Sequence, residues 1–534
     1  MNFTAQRIPY YQTGYFSRII TDYLEGNEFL KFFYEHPISF SGIEAAIRKR
    51  REFPTDRKLL VKTLQEQYTG LPGKENVSRN LQSLANENTF TVTTAHQPAI
   101  FTGTLYFIYK ILHVIKIAKT LTERYPACHF VPIFYMGSED ADLDELGHIY
   151  LDNEKINWDT KQSGAVGRMN TIGLEKIIQR IEGEFAGYPY GPELIKLLKE
   201  CYLDSENIQE ATFRLIDELF GSYGLIVLMP DSRSLKSAMR SVFSDDLIKH
   251  LPFEIIQKNV QRLSLQYPVQ ANPREVNLFY LKDDIRERLE NRNGRLEVNN
   301  TNIHFSSEEI EKELNEFPER FSPNVILRGL YQETILPDIA FVGGGGETAY
   351  WLELKPLFKH YGVPFPALIL RNSFLIVKNN WKVKIKKTGL MVADVFKSEE
   401  QLMEVFVRQF STHELNLKPQ KDEMRSFYES LKGISGTVDK TLEQHVEKLE
   451  AQAVQKLDEL EKKILRAEKK NYEEVRRKIH EIRKTLFPLG NLQERIDNFI
   501  PWYAEYGKSF IDFIFTNSLV LEQEFVIMEE ADKS

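Results

Sequence analysis

The stretch "TFTVTTAHQPAIFTGTLYFIYKILHVIKIAKTL", Thr89 to Leu121, followed by "HFVPIFYM", His129 to Met136, decides the fold. Thr89 to His96 is dense in β-branched residues and reads as a strand. "QPAIFTG" turns the chain, and the next residues carry the apolar spacing of a helix with a buried face. His129 to Met136 reads as a second strand. Strand, helix, strand predicts a parallel pair joined by a right-handed crossover. Ligands in such sheets sit at the carboxyl ends of the strands, where "QPAIFTG" and the acidic "GSEDADLDELGH", Gly137 to His148, both fall.

Working outward, "GLIVLMPD" from Gly224 and "FPALILRNSF" from Phe365 are further strand candidates, and Ser232 is placed to cap a helix beginning near Arg233. In "ILPDIAFVGGGGETAYWLELKPLFKHYG", Ile335 to Gly362, a short strand meets four glycines and then a helix. The regions of about 155–220 and 240–325 are polar and mixed, with little strand character, and are expected to be helical insertions. The fold class is therefore α/β, a parallel sheet core with helical insertions over residues 1–390.

The last third changes character. From Val438 to Leu486 apolar residues recur mostly every three or four positions among dense Glu and Lys. This predicts a helical coiled-coil arm over 391–486, about 70 Å long at about 1.5 Å per residue. "KSEEQLMEVFVRQF" and "EMRSFYESLKGISG" supply the antiparallel partner, with Gly433 and Gly436 near the turn. Residues 487–534, opening "LFPLGNLQERIDNFIPWYAEYG", return to a globular pattern. An apolar stripe needs a partner, so a homodimer is expected, with an intrachain hairpin as the competing reading.

At 534 residues the chain exceeds what one core usually supports. Its 42% hydrophobic and 27% charged residues are those of a soluble globular protein. A net charge of -8 gives no whole-chain attraction to nucleic acid or an anionic membrane. No secretory leader or bilayer-length apolar run is visible, which predicts a cytoplasmic protein. Cys128 and Cys201 form no metal spacing and no disulfide framework, and both read as buried thiols.

The chemistry falls to the loops. His96 at a strand end, Gly103 near a helix start and Lys110 inside that helix could hold phosphate, although neither the Walker pattern nor the dinucleotide fingerprint is present. The His loop is similar to that following the first strand of class I aminoacyl-tRNA synthetases. In the acidic loop, Glu139, Asp140 and Asp142 could bind a cation or simply favour a helix start. Glu145 stands where an EF-hand beginning at Asp140 would need glycine, so no metal is expected. Gly343, Gly344 and Gly346 let a backbone approach a ligand, and Glu347 suits a sugar or amine donor better than a phosphate.

Together, "TAHQPAIFTGTLYFIYKILHVIKIAK", "VPIFYMGSEDADLDELGH", the block from "NVILRGLYQETILPDIAFVGGGGE" to "LRNSF", "KKILRAEKK" and "LFPLGNLQERIDNFIPWYAEYG" resemble, in order and spacing, the bacillithiol biosynthesis cysteine-adding enzymes. The resemblance covers about residues 90 to 510. It implies a Rossmann-like core, a dimerising coiled coil, and a ligase that joins L-cysteine to the amine of glucosaminyl malate as the final step of bacillithiol biosynthesis. This chain departs from the family pattern at Ala95, Thr104, Gly329, Ala141 and Gly345, and Ala141 replaces a His between two acids, a role His96 is expected to share.

The roles implied are ATP phosphates near His96, Gly103 and Lys110, and an ammonium held by Glu139, Asp140 and Asp142. Malyl carboxylates fall to Arg328 or Arg371, and the sugar lies against Tyr350 and Trp351. Gln97, Gln332, Gly343, Gly344, Gly346, Glu347 and Asn372 complete the expected binding set. No KMSKS-type lysine loop is recognisable, so ATP is an expectation only. A transferase of the synthetase type acting on another acceptor, and a noncatalytic nucleotide-binding scaffold, are the alternatives.

Overall fold

The computed structural model describes residues 3–531. Its core is a five-stranded sheet with all pairs parallel, in the spatial order Ala367–Leu370, Asp338–Gly343, Thr89–His96, His129–Met136 and Ile226–Leu228. The first two strands from the sequence occupy the residues expected, and the helix between them spans Leu105–Arg124. Both sheet faces are covered: Val131, Ile133 and Tyr135 pack on one side, Phe134 and Met136 on the other. This is why the strand reads as an unbroken apolar run. The chain builds outward from Thr89–His96 in one direction, then returns to its other side with Asp338–Gly343. The strand order therefore reverses between these two neighbours, where an open sheet leaves a crevice.

"FPALILRNSF" holds two strands rather than one. Ala367–Leu370 ends the core sheet, whereas Phe374–Val377 joins a second sheet, parallel to Glu524–Glu530, which in turn pairs antiparallel with Phe3–Pro9. The C-terminal return is thus tied to both the N-terminus and the core.

The insertions are not all helical. Helices Leu174–Phe185, Gly191–Tyr202 and Ile208–Phe220 fill the first, after a hairpin of His148–Leu151 and Glu154–Asn157. The second has helices Arg240–Lys249 and Leu251–Leu263, but then forms a five-stranded antiparallel sheet from Leu278 to Pro323. Its strands are charged because one face meets solvent or a cavity, which hides the apolar signal. The turn signal was present: Asn293 and Gly294 both have positive φ, 54° and 81°, and join Arg292 to Arg295 in a two-residue hairpin. Ser232 does hold the N-cap position before Arg233, but its hydroxyl meets Ser234 rather than the backbone.

The arm is also shorter than expected. Lys418–Val438 and Thr441–Lys470 form the antiparallel hairpin, turning at Asp439 and Lys440. The second helix breaks at Asn471 and Tyr472 before Glu473–Leu486, so the continuous rod is about 45 Å. Glu399–Phe410 packs at the arm's base, where Lys469 and Arg476 reach Glu400. Both cysteines are free, Cys201 buried and Cys128 partly so.

Candidate functional site

Two compartments adjoin at the carboxyl ends of the core strands. The first is the crevice between the ends of Thr89–His96 and Asp338–Gly343. Lys110, fully buried on its helix, donates to the Ala95 carbonyl at 2.6 Å and to Glu347 Oε2 at 2.6 Å. The same Glu347 oxygen accepts the Gly344 N–H at 2.8 Å, so the Glu347 side chain reaches back to cap the start of helix Gly345–Tyr361. Burial opposes its ionisation, but the Lys110 ammonium and the Gly344 N–H hold the carboxyl below the usual range. The glycine run is therefore a helix entrance whose acid is anchored from beneath. Gly343 gives its carbonyl to Arg371 N–H at 2.8 Å, and a Cβ on Gly346 would meet open space.

His96 packs its ring against Tyr106 and Phe107, with centroids 5.4 and 5.3 Å away. Burial, reinforced by the Lys110 charge, pushes its imidazole down to about 3, so it is neutral at physiological pH. Gly103, at φ 63°, gives its carbonyl to Asn498, as does Phe101. The Leu105 N–H at the helix start is taken by the Asp497 carbonyl at 2.8 Å.

The second compartment is a cavity of about 430 Å³ between the end of His129–Met136 and the inserted antiparallel sheet. Four arginines line it, Arg274, Arg286, Arg288 and Arg328, against two acids, Glu139 and Asp140. Arg286 stacks over Phe279 at 4.1 Å, donates to Ser322 Oγ at 3.2 Å and stands 3.8 Å from Asp140. Arg288 lies over the same ring at 5.2 Å. Burial, and for Arg288 the neighbouring Arg274, pull both guanidinium groups below their ordinary value, and for Arg286 the carboxylates of Asp140 and Glu139 oppose this. Glu139 is buried and held by Lys236.

The compartments touch. Gly137 N–H donates to the His96 carbonyl at 2.8 Å, Gln97 Nε2 to Asp140 Oδ2 at 3.2 Å, and Arg328 Nη2 to the Tyr350 hydroxyl at 2.8 Å. His96, Gln97, Glu139, Asp140, Arg328, Glu347 and Tyr350 are thus brought together.

Other expected residues have different duties. Asp142 is exposed and caps the short helix Leu143–Leu146 through Glu145 N–H. Gln332 is buried beside Glu333 in the Arg50 network, away from the cavity. Trp351 cannot wall a sugar, because it is 1% exposed and stacked on Phe341 at 4.5 Å. Arg371 is paired with Glu494 at 2.7 Å, and Asn372 is tied to His113 and to the Leu519 N–H. Among the described residues no group of three or more His, Cys, Asp or Glu gathers as a metal site.

A family model for "Bacillithiol biosynthesis BshC, N-terminal Rossmann-like domain" matches residues 3–372, and one for the C-terminal coiled-coil domain of the same family matches 374–530. The chain belongs to the BshC family of bacillithiol biosynthesis. BshC relatives from Flavobacterium johnsoniae and Flavobacterium psychrophilum, each named "Putative cysteine ligase BshC", are 36% and 38% identical, covering 98% of this chain and 99% of theirs. One from Bacillus cytotoxicus with the same name is 25% identical, covering 92% and 94%. A solved structure, "Crystal structure of putative arginyl t-RNA synthetase" from Campylobacter jejuni, overlays with a TM-score of 0.23 at 10% identity over 84% of this chain and 98% of that one, too low to carry any argument.

In this BshC family member, reading the sequence missed Arg274, Arg286, Arg288 and Lys236. Arg286 and Arg288 alternate on one strand, "IRERLENR", and so share a face; that spacing was the available signal. Lys236 lies 97 residues from Glu139, and nothing local marks it.

Proposed function

We propose that this protein catalyses the final step of bacillithiol biosynthesis, the ligation of L-cysteine to the amine of glucosaminyl malate, in the cytoplasm. The observation that carries the reading is the arginine-lined cavity. A malyl group has two carboxylates, and guanidinium groups recognise carboxylates through paired charge-assisted hydrogen bonds. Arg286 and Arg288, braced by Phe279, and Arg328, braced by Tyr350, suit that end of the acceptor. The amine then lies toward Glu139 and Asp140 at the junction with the crevice. Amide formation joins the acceptor nitrogen to the cysteine carboxyl carbon, removes a proton from nitrogen and expels the activated carboxyl oxygen.

Carboxyl activation needs an energy source, and the resemblance makes ATP the expected one. The turn at Gly103 does not fit a triphosphate: Lys110 is bound to Ala95 and Glu347, His96 is neutral, and Asp497 occupies the helix start. A homodimer is proposed through the arm, because Phe427, Ile434, Val438, Leu442, Leu449 and Leu460 are all exposed on it.

The test is to incubate the purified full-length chain with L-cysteine and glucosaminyl malate, with and without ATP, and to detect bacillithiol by mass spectrometry. Bacillithiol formation is expected when ATP is present. Turnover only with another amino acid or acceptor would favour the synthetase-like transferase, and no turnover together with an unchanged thiol profile after gene deletion in a bacillithiol-making host would overturn the reading.

A further inference from the structure

Glu139 is a carboxylate in an unusual position. It lines the arginine cavity, yet its residue is 7% exposed, and an acid so buried is neutral at physiological pH unless something pays its desolvation. That something is Lys236, on the helix after the third core strand, which has no exposed surface and donates to Glu139 Oε1. Lys236 is in turn fixed from two further sides. It donates to the Glu319 carbonyl at 2.9 Å and stands 3.5 Å from Asp231 Oδ1. Asp231 is gripped by Arg168 through two bonds, 2.7 and 2.9 Å long. The result is a chain of alternating charge, Glu139, Lys236, Asp231, Arg168, drawn from three separate segments and running from the cavity to the first insertion.

Such a chain is more than structural ballast. A buried ion pair replaced by apolar residues is often no less stable, so stability alone is weak reason for it. Only its Glu139 end reaches the cavity. An acceptor amine must lose a proton to become a nucleophile, and Glu139 stands in the cavity where that amine is expected.

We propose that Lys236 is a positioning residue: it holds Glu139 as an anion facing the cavity, so that Glu139 takes the proton from the acceptor's ammonium group. The inference rests on the proposed ligation. The proton moves from the ammonium nitrogen to a Glu139 carboxylate oxygen, leaving the nitrogen lone pair free, and no other bond changes in this step.

The groups facing Glu139 fix the sign of the effect. Burial is the largest influence and leaves the Glu139 carboxyl above its ordinary value; Lys236 opposes this, Asp231 adds to it, and Arg286 from the inserted sheet opposes it more weakly. Tyr135 and Tyr331 beneath are neutral phenols, both raised by burial. Asp140 and Arg328 line the same cavity. Removing Lys236 therefore drives Glu139 further up, and neutralising Asp231 brings it down.

The experiment is the pH profile of kcat/KM for the ligation in the wild-type protein and in Lys236→Met, Lys236→Arg and Asp231→Asn. The rising limb is expected to move up by about one unit or more in Lys236→Met, a roughly tenfold loss at low pH that recovers at high pH. It should stay near the wild type in Lys236→Arg and move down in Asp231→Asn. Opposite shifts are not produced by loss of folding, and Asp231→Asn serves as the reading if Lys236→Met does not fold. A uniform loss at every pH, or shifts of the same sign, would overturn the inference while leaving the ligation reading intact. A wild-type protein without ligation activity would overturn both.

Discussion

Arg371 and Glu494 meet at 2.7 Å with both side chains buried, joining the end of the last core strand to the C-terminal return segment. Glu494 also accepts from Ser373 Oγ and the Phe374 N–H, and Arg371 donates to the Asn372 carbonyl. The arginine expected to greet a substrate is instead the bolt between the two halves matched by the family models.

Arg371→Met leaves Glu494 buried without its cation. Breaking such a pair from one side costs about 3–5 kcal/mol, so the thermal unfolding midpoint should fall clearly. A midpoint within error of the wild type would refute the bolt.

Glu353 is fully buried and accepts the Gln270 N–H at 2.8 Å and the Ala271 N–H at 3.2 Å, holding a segment that lines the cavity. Burial pushes its carboxyl up to about 7. The native state therefore binds the proton more tightly than the unfolded chain, and this acid lowers stability as pH rises from its unfolded value through about 7. Glu353→Gln should stabilise the protein by about 1–3 kcal/mol at pH ~8 and leave it nearly unchanged at pH ~4. Denaturant titrations at both values check this, and equal effects at both would contradict it.

His96 is neutral across the physiological range, so it contributes packing and hydrogen bonding rather than a titrating acid. His96→Ala should lower kcat/KM by a similar factor at every pH from about 6 to 9. Loss of one limb of the profile would assign His96 a proton-transfer role after all.

The arm hairpin buries none of Lys418–Val438, and Ile434 and Val438 are 63% and 80% exposed. Ile434→Asp with Val438→Asp should convert a dimer to a monomer in light scattering, with helix content by circular dichroism unchanged. A wild-type monomer at micromolar concentration would remove the proposal.

The parallel core was legible because its strands are buried on both faces and its glycines mark a helix entrance; Thr89–His96 and His129–Met136 needed no tertiary information. The inserted sheet was not, because "IRERLENR" carries charge on both faces, with Arg286 and Arg288 lining a cavity, and its Asn293–Gly294 turn is the one local strand signal. Asp142 and the glycine run stand out as acid and glycine motifs, yet both serve helix starts. Arg286 and Lys236 act through neighbours distant in the chain, and only the folded packing brings them to the site.

The central claim is that the arginine cavity holds the acidic end of the acceptor. It is tested most directly by steady-state kinetics of Arg286→Met and Arg288→Met with each substrate varied in turn. The KM for glucosaminyl malate should rise by about tenfold or more, roughly 1.4 kcal/mol, with the KM for cysteine within about twofold of the wild type. An unchanged acceptor KM, or a rise confined to cysteine or ATP, would contradict it.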